Sequence, residues 1–309
     1  MTHSPLTLAA LATAALPGLA PVDARHLEGP AGTDAAQIMD DEGRLWWIIS
    51  PRNAAAGAAL DAEAALLERL APEIAAGNLP FGVLEPHGWA PLPSGGRACI
   101  YRAGQGRPLD YGQLAPREGL ARNLGTVLGK IHELSPKIAL DLGLPEYDCE
   151  EYRTRCLVEL DEAARTSHVP ANLLRRWERA LEDVALWRFS TVVTHGDLAP
   201  EQVLIRDDAV ATVLGWSQAS VADPAQDLAW LVTALPQDIT DTVIESYALT
   251  RSEEPDKHLQ TRAILAGELA VARWLLYGVR NDETEIVTDA VSMLRELDAA
   301  VGEEPLREA

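Results

Sequence analysis

The chain has 309 residues, of which 47% are hydrophobic and 24% are charged, a composition typical of a globular protein with one large domain or two modest ones. Its 47 acidic and 26 basic residues give a formal net charge of −21, which repels nucleic acid and anionic membranes and attracts small cations. The sequence therefore predicts no nucleic-acid partner and allows a small cationic ligand, although solubility explains the charge equally well. Nothing in it indicates a particular protein partner.

An apolar, alanine-rich segment lies near the start, at residues 6–19. A secretory signal requires a basic residue before its apolar part, and no Lys or Arg precedes this segment. Pro17 and Gly18 end it well short of the roughly 20 residues that span a bilayer. We therefore expect a short packed helix, no membrane span and a cytoplasmic protein, in which the three cysteines stay reduced.

The first third of the chain predicts mixed α and β structure. Leucines at helical spacing favour a helix at residues 54–70, with Glu63 in the same stripe. β-branched and aromatic runs between turn residues favour strands. These strands are expected at residues 23–27, 35–39, 45–49, 80–84 and 98–102, the last two forming a hairpin.

The rest of the chain is mostly helical by pattern, with a short β region at residues 192–216. A flexible segment at residues 104–108, Gly-Gln-Gly-Arg-Pro, suggests a boundary. We therefore predict an α+β fold with two lobes, a small β-rich lobe at residues 1–104 and a larger helical lobe at residues 105–309.

The densest signal is the run Thr-His-Gly-Asp-Leu-Ala-Pro-Glu-Gln-Val-Leu-Ile around His195. It places Asp197 five residues before Gln202, and two short strands are expected directly afterwards, at residues 203–206 and 210–214. A His-Gly-Asp triplet occurs by chance, so the strands that follow it in order give it its weight.

This run resembles the catalytic loop of the aminoglycoside and macrolide phosphotransferases, in which His-Gly-Asp is followed five residues later by Asn. The resemblance implies that Asp197 is the base that accepts the proton of an attacking hydroxyl. It implies a structural role for His195, and it places Gln202 where the family has the Asn that holds magnesium. The family fold is a bilobal, protein-kinase-like fold.

The segment after the second strand resembles the same family, whose Ile-Asp-Trp is followed by Asp-Pro and then Asp-Leu. Trp216, Asp223 and Asp227 match, whereas Gly215 stands in the place of the metal-binding Asp. Magnesium needs oxygen ligands in near-octahedral geometry, and glycine has no side-chain oxygen. Glu201, Ser217 and Asp223 are candidate substitutes that could reach the phosphates; the alternative is that Asp223 and Asp227 cap and brace the loop before a helix.

The small lobe departs from the family at another place. A kinase needs a strand lysine that touches the phosphates and pairs with a helix glutamate. Glu63 matches the glutamate, but the lysine position falls near Ile49, and the first lysine of the chain is Lys130. Arg52 is open to two interpretations, a phosphate ligand or a solvated turn residue. Without the lysine, Glu63 is expected to face solvent or to pair with an arginine.

The resemblance covers roughly residues 20–280 and implies ATP or GTP with magnesium as cofactors, with the metal part expected to be weakened or lost. Three hypotheses about function stay open. They are an ATP-dependent phosphotransferase acting on a hydroxyl of a small molecule, an inactive pseudokinase that binds a nucleotide or small molecule, and a protein-interaction role that leaves the site unused. Asp197 favours the first, and the departures at Gln202, Gly215 and Ile49 favour the second.

Overall fold

The computed structural model describes residues 3–93, 95–116, 119–302, 304 and 306. They form two compact units, each assembled from chain segments that are separated in sequence. The first unit comprises Met1–Leu114, Lys137–Leu144 and Asp197–Ala219, and the second comprises Ala115–Pro136, Pro145–Gly196 and Ser220–Ala309. The predicted lobe boundary after residue 104 stays a prediction.

The helices and strands alternate in the first part of the chain and give way to helices later. The helices are α1 (Pro5–Ala15), α2 (Ala54–Ala75), α3 (Gly119–His132), α4 (Lys137–Leu140), α5 (Cys149–Arg165), α6 (Ala171–Glu182), α7 (Ala225–Ala234), α8 (Gln237–Thr250), α9 (Leu259–Arg280) and α10 (Thr284–Val301). The strands are β1 (Pro21–Leu27), β2 (Thr33–Asp40), β3 (Leu45–Pro51), β4 (Pro86–Pro91), β5 (Arg97–Arg102), β6 (Arg107–Pro108), β7 (Val192–Thr194), β8 (Val203–Arg206), β9 (Ala209–Val213) and β10 (Ser220–Ala222).

A five-stranded antiparallel sheet organises the first unit, in the order β1-β2-β3-β5-β4. Side chains alternate across it because successive strand residues point to opposite faces. Ile38, Ile48 and Ile100 lie on one face and are fully buried together with Leu8 and Ala12 of α1. The apolar segment predicted as a short packed helix is therefore α1, which covers this face of the sheet.

The strand predicted at residues 80–84 is wrong. The partner of β5 is β4, which begins at Pro86. Gly82 instead makes a single bridge to β9, since its N–H donates to the Ala211 carbonyl at 2.8 Å and its carbonyl accepts from the Val213 N–H at 2.9 Å. An apolar run bounded by turn residues predicts an extended chain, but it does not say which sheet the chain joins.

The remaining parts of the first unit are α2, α4 and a small three-stranded sheet in the order β6-β8-β9. The strands predicted at residues 203–206 and 210–214 are β8 and β9, joined by a turn at Asp207 and Asp208. Both turn residues have positive φ, 54° and 57°, a region that Asp tolerates better than most residues. This pair of strands connects the segments that carry Gln202 and Gly215.

The second unit contains α3, α5 to α10, and the antiparallel pair β7 and β10. A core cluster in this unit joins α5, α6, α9 and α10, with Trp177 fully buried. Helix α6 ends at Glu182. Asp183 stops it by accepting the N–H of Ala185 and starting a turn.

Within the described residues, no helix combines the length and the apolar character needed to cross a bilayer. The longest helices, α2 and α9, each carry a polar face and buried charged residues.

Candidate functional site

The first unit carries the positions predicted to handle nucleotide and metal. These are Arg52, Glu63, Asp197, Gln202, Gly215 and the adjoining Trp216. His195, Asp223 and Asp227 lie in the second unit. Asp197 is exposed and follows Gly196, which turns the chain with a φ of 87°. An exposed carboxylate after such a turn is able to meet a ligand from solvent.

The side chain of Gln202 lies against Gly215. A Cβ built on Gly215 would stand 2.6 Å from Oε1, 2.9 Å from Cδ and 3.2 Å from Nε2 of Gln202. The backbone holds the two residues together as well, since the Leu214 N–H donates to the Gln202 carbonyl at 2.8 Å. The space that a side chain at position 215 would enter is therefore filled by the amide of Gln202.

Gly215 has a φ of 75° and begins the 3-10 turn Trp216–Gln218. Its left-handed backbone suits glycine, which has no Cβ to clash with the carbonyl that follows. Glycine therefore suits the backbone conformation at position 215, and the side chain of Gln202 occupies the space that a larger residue there would need. Sequence reasoning identified both departures separately but gave no sign that the two residues touch.

Glu63 is buried, with only 7% of the residue exposed, and its Oε1 accepts the backbone N–H of Trp216 at 2.8 Å. The expectation that it faces solvent or pairs with an arginine is wrong, because no cation among the described residues pairs with it. Burial raises the pKa of Glu63 to about 7, which the hydrogen bond from Trp216 only partly offsets. Its place in the leucine stripe of α2 was the sequence signal for burial.

The strand position expected to carry lysine holds Ile49, which is 8% exposed and pairs with Cys99 across the sheet. Arg52 lies just after β3, where its side chain is 44% exposed and its Nε is 3.8 Å from Asp34. An arginine in this position is partly hydrated and loosely paired. The choice between a phosphate ligand and a solvated turn residue stays a prediction.

In the second unit, the carboxylate of Asp227 fixes the chain that leads to Asp197. It accepts the backbone N–H of His195 at 2.7 Å and of Gly196 at 2.8 Å. Burial raises the pKa of Asp227, but the hydrogen bond from His132 and these N–H groups outweigh it, so the pKa lies below its usual value. Asp227 thus acts as an ionised acceptor inside the fold.

His132 extends this network. Its Nε2 lies 3.1 Å from Asp227 and its Nδ1 lies 2.9 Å from the Tyr247 hydroxyl, so Nε2 donates when Nδ1 accepts. All three side chains are buried. A buried polar network of this kind rigidifies its surroundings when every member is paired.

We predict that Tyr247→Phe lowers the free energy of unfolding by about 1–2 kcal/mol, because it removes one hydrogen bond and leaves Nδ1 of His132 buried without its partner. Urea denaturation of the purified chain measures this. Tyr277→Phe is the matched control, since Tyr277 is 39% exposed on α9 and should change stability by less than about 0.5 kcal/mol. Equal effects of the two substitutions would contradict the network.

Asp223 is bound by an arginine. Arg262 donates to its two carboxylate oxygens at 2.8 and 3.1 Å, and the Ala225 N–H donates at 3.0 Å. Burial raises the pKa of Asp223 above its usual value despite these partners. Arg262 also pairs with Asp256. The carboxylate of Asp223 is therefore hydrogen-bonded to Arg262 and to the first residue of α7.

Comparisons with known proteins point to one family. The model of the phosphotransferase enzyme family, APH, matches residues 10–264. An uncharacterized protein of Bacillus subtilis (strain 168), YcbJ, is 28% identical over 133 residues, covering 43% of this chain and 44% of that protein. Viomycin phosphotransferase of Streptomyces vinaceus is 25% identical over 186 residues, 58% of this chain and 61% of that protein. The matches thus span less than two thirds of either relative.

Solved structures match nearly the whole chain. The apoenzyme of macrolide 2'-phosphotransferase MphH from Brachybacterium faecium has a TM-score of 0.75 at 24% identity and covers 94% of this chain and 97% of its own. The GDP complex of aminoglycoside 2'-phosphotransferase-IIIa has a TM-score of 0.80 at 18% identity, covering 96% and 99%. At such identities the likeness shows the fold.

The β-rich sheet, the helical part and these likenesses define the class of protein as α+β with a kinase-like fold, which confirms the sequence-based prediction. Because the family model covers well over half of the sequence, the chain belongs to the phosphotransferase enzyme family.

Proposed function

We propose that this chain is a nucleotide-binding member of the phosphotransferase family in which magnesium-assisted phosphoryl transfer is impaired or lost. The observation that carries the proposal is the contact between Gln202 and Gly215. In phosphoryl transfer the protein mainly positions the reactants and stabilises charge, and the metal does much of that stabilisation. A member without a metal site keeps the means to bind but loses the largest electrostatic contribution.

The donor groups present do not fit a magnesium ion. Magnesium is usually held by one or two protein carboxylates at about 2.0–2.1 Å. Position 215 offers no side-chain oxygen, and the amide of Gln202 beside it supplies only a neutral one. Asp223 is already bound by Arg262. Across the described residues, no three His, Cys, Asp or Glu side chains form a group able to hold a metal.

The phosphate side of the site supports the same proposal. A strand lysine would stabilise the phosphates and hold the helix glutamate, and Ile49 does neither. Glu63 has taken a backbone N–H as its partner instead. Nucleotide binding without magnesium would then depend on backbone donors and on Arg52, whose guanidinium is partly exposed beside Asp34.

A second candidate function keeps catalysis. Asp197 is exposed in the position of the family base, which favours ATP-dependent transfer of a phosphoryl group to a hydroxyl of a small molecule. We propose that such an acceptor is cationic, because the chain carries a net charge of −21.

Titration calorimetry of the full chain with ATP, GTP and GDP, with and without magnesium chloride, tests the proposed function. We expect at least one nucleotide to bind, with an affinity that magnesium changes by less than about threefold, well under the tenfold that 1.4 kcal/mol produces. An acceptor screen with aminoglycosides and macrolides should yield no phosphorylated product.

Two outcomes would overturn the proposal in different ways. Tight binding that requires magnesium, with acceptor phosphorylation that Asp197→Asn abolishes, would establish the second candidate function. Failure of all three nucleotides to bind in either condition would remove nucleotide binding altogether.

A further inference from the structure

A cluster of arginines on α6 is unusual in a chain this acidic. Asn172, Arg175, Arg176 and Arg179 are spaced by three or four residues, so they lie on one face of the helix. Together with Gly302, which follows α10, they line a cavity of about 350 Å³ in the second unit. Three arginines thus line one space in a protein with a net charge of −21.

One of these arginines is held rigidly by the fold. Arg176 donates from Nε and Nη2 to the carboxylate of Glu268 at 3.0 and 2.9 Å. Glu268 is 4% exposed and also accepts the indole N–H of Trp177 at 2.7 Å. Arg176 further donates to the backbone carbonyl of Glu304. Its charge is neutralised by Glu268, and its position is fixed.

The other two arginines keep their charge. Arg175 donates to the side-chain oxygen of Asn172, which is neutral. Arg179 makes neither a hydrogen bond nor an ion pair with its side chain within the part of the chain that the structure describes. Both are exposed. The cavity therefore has two guanidinium groups on its rim that no carboxylate of the described residues neutralises.

A bland explanation is that the arginines stabilise the carboxyl end of α10, where the backbone carbonyls carry partial negative charge. Only Arg176 fits this explanation, because it alone of the three bonds a carbonyl beyond α10. The explanation leaves Arg175 and Arg179 without a role. Two like charges beside one cavity repel each other unless an anion lies between them.

We propose that this cavity is a binding site for a small, multiply charged oxyanion of the phosphate type. Guanidinium groups bind such oxygens through forked, charge-assisted hydrogen bonds. The described lining contains no aromatic or aliphatic side chain on which a base could stack. Inorganic phosphate, pyrophosphate and a sugar phosphate share the required chemistry.

The site is independent of the proposed nucleotide function, since its residues all belong to the second unit and those of the nucleotide proposal to the first. Titration calorimetry of the full chain with phosphate, pyrophosphate and glucose 6-phosphate tests it, and the three arms identify which source of the oxyanion fits. We expect pyrophosphate to bind most tightly, because it carries the most charge, and binding to weaken as sodium chloride is raised.

The decisive variant is Arg175→Gln with Arg179→Gln, which removes the two unneutralised charges and leaves the buried pair of Arg176 and Glu268 intact. We expect it to weaken pyrophosphate binding by at least about tenfold, because hydrogen bonds between charged groups each contribute at least that much. Arg295→Gln, an exposed arginine on α10, is the matched control and should have no effect.

Equal pyrophosphate affinity of the wild type and the double variant would overturn the proposal. So would the absence of wild-type binding at about 10 mM, a concentration at which even a site with a millimolar dissociation constant is largely filled. A thermal unfolding curve checks that the double variant is folded.

Discussion

A chain that carries both Gly215→Asp and Gln202→Asn is expected to gain stability when magnesium is added to ATP, whereas the wild type is expected to respond to ATP almost equally with and without magnesium. A ligand present at a hundred times its dissociation constant stabilises the folded state by about 2.7 kcal/mol. For a protein of this size that corresponds to a rise of several degrees in the melting temperature. Thermal unfolding in ATP, with and without magnesium chloride, measures the effect.

The physical reason lies in the contact between the two side chains. A Cβ at position 215 would stand 2.6 Å from Oε1 of Gln202, so the new carboxylate needs the room that the shorter Asn provides. The backbone conformation should accept Asp, because Asp207, Asp208 and Asp282 already adopt positive φ in this chain. The double variant restores a carboxylate and an amide of the length that the family uses.

The single variants show whether the positions are coupled. Gly215→Asp alone must displace the Gln202 amide, and Gln202→Asn alone adds no charge, so each is expected to give less than half of the response. A non-additive cycle of this kind is the signature of residues in contact. Gly43→Asp is the matched control, since Gly43 has the same φ of 75° and open space around it. Full stabilisation by either single variant, or by Gly43→Asp, would contradict the argument.

Replacing Glu63 with Gln is expected to make the protein more stable at about pH 8 and to leave its stability almost unchanged at about pH 5. Burial raises the pKa of Glu63 to about 7, against 4.5 for a free side chain. Above pH 7 the folded state must keep a charge buried without a cationic partner. This pKa shift corresponds to about 3 kcal/mol of unfolding free energy. The wild type loses most of that stability between about pH 5 and about pH 8.

The direction follows from proton binding. Between the unfolded and folded pKa values the folded protein binds more protons than the unfolded one, so stability is highest below about pH 4.5 and falls as the pH rises towards 7. The amide of the Glu63→Gln variant keeps an oxygen for the Trp216 N–H but has no charge to bury, so the variant lacks this loss. The expected gain over the wild type is about 2–3 kcal/mol at pH 8.

Urea denaturation of both proteins across this pH range measures the difference in their unfolding free energies. The contributions of other titrating groups cancel in this difference, because both proteins contain them. Glu68→Gln on the same helix is the matched control, because Glu68 is exposed and should show no such pH dependence. A Glu63→Gln variant that is less stable than the wild type at pH 8 would contradict a destabilising buried charge at Glu63.

The sequence predicted the class of fold because its signals are local and ordered. The strands after Asp197, the aspartate before α7 and the leucine stripe of α2 follow from spacing and turn residues along the chain. The strand predicted at residues 80–84 was wrong because Gly82 bridges to β9, which lies more than a hundred residues away in the sequence. Local pattern says that a segment is extended but does not identify a distant partner.

The contacts within the candidate site could not be predicted from the sequence either, because they join residues that are distant along the chain. Gln202 and Gly215 were each noted as departures from the family, but their contact depends on how β8 and β9 bring the two turns together. The sequence could not predict the hydrogen bond between Glu63 and the N–H of residue 216, because every residue except proline has a backbone N–H. Side-chain partners of buried charges, such as Arg262, come from elements distant in sequence.

The packing of Gln202 on Gly215 also bears on how this lineage can change. With glutamine at position 202, an aspartate at position 215 is unfavourable, because its Cβ would lie 2.6 Å from Oε1 of the glutamine. A shorter side chain at position 202 removes this obstacle. We therefore expect relatives with a glutamine at the first position to have glycine at the second.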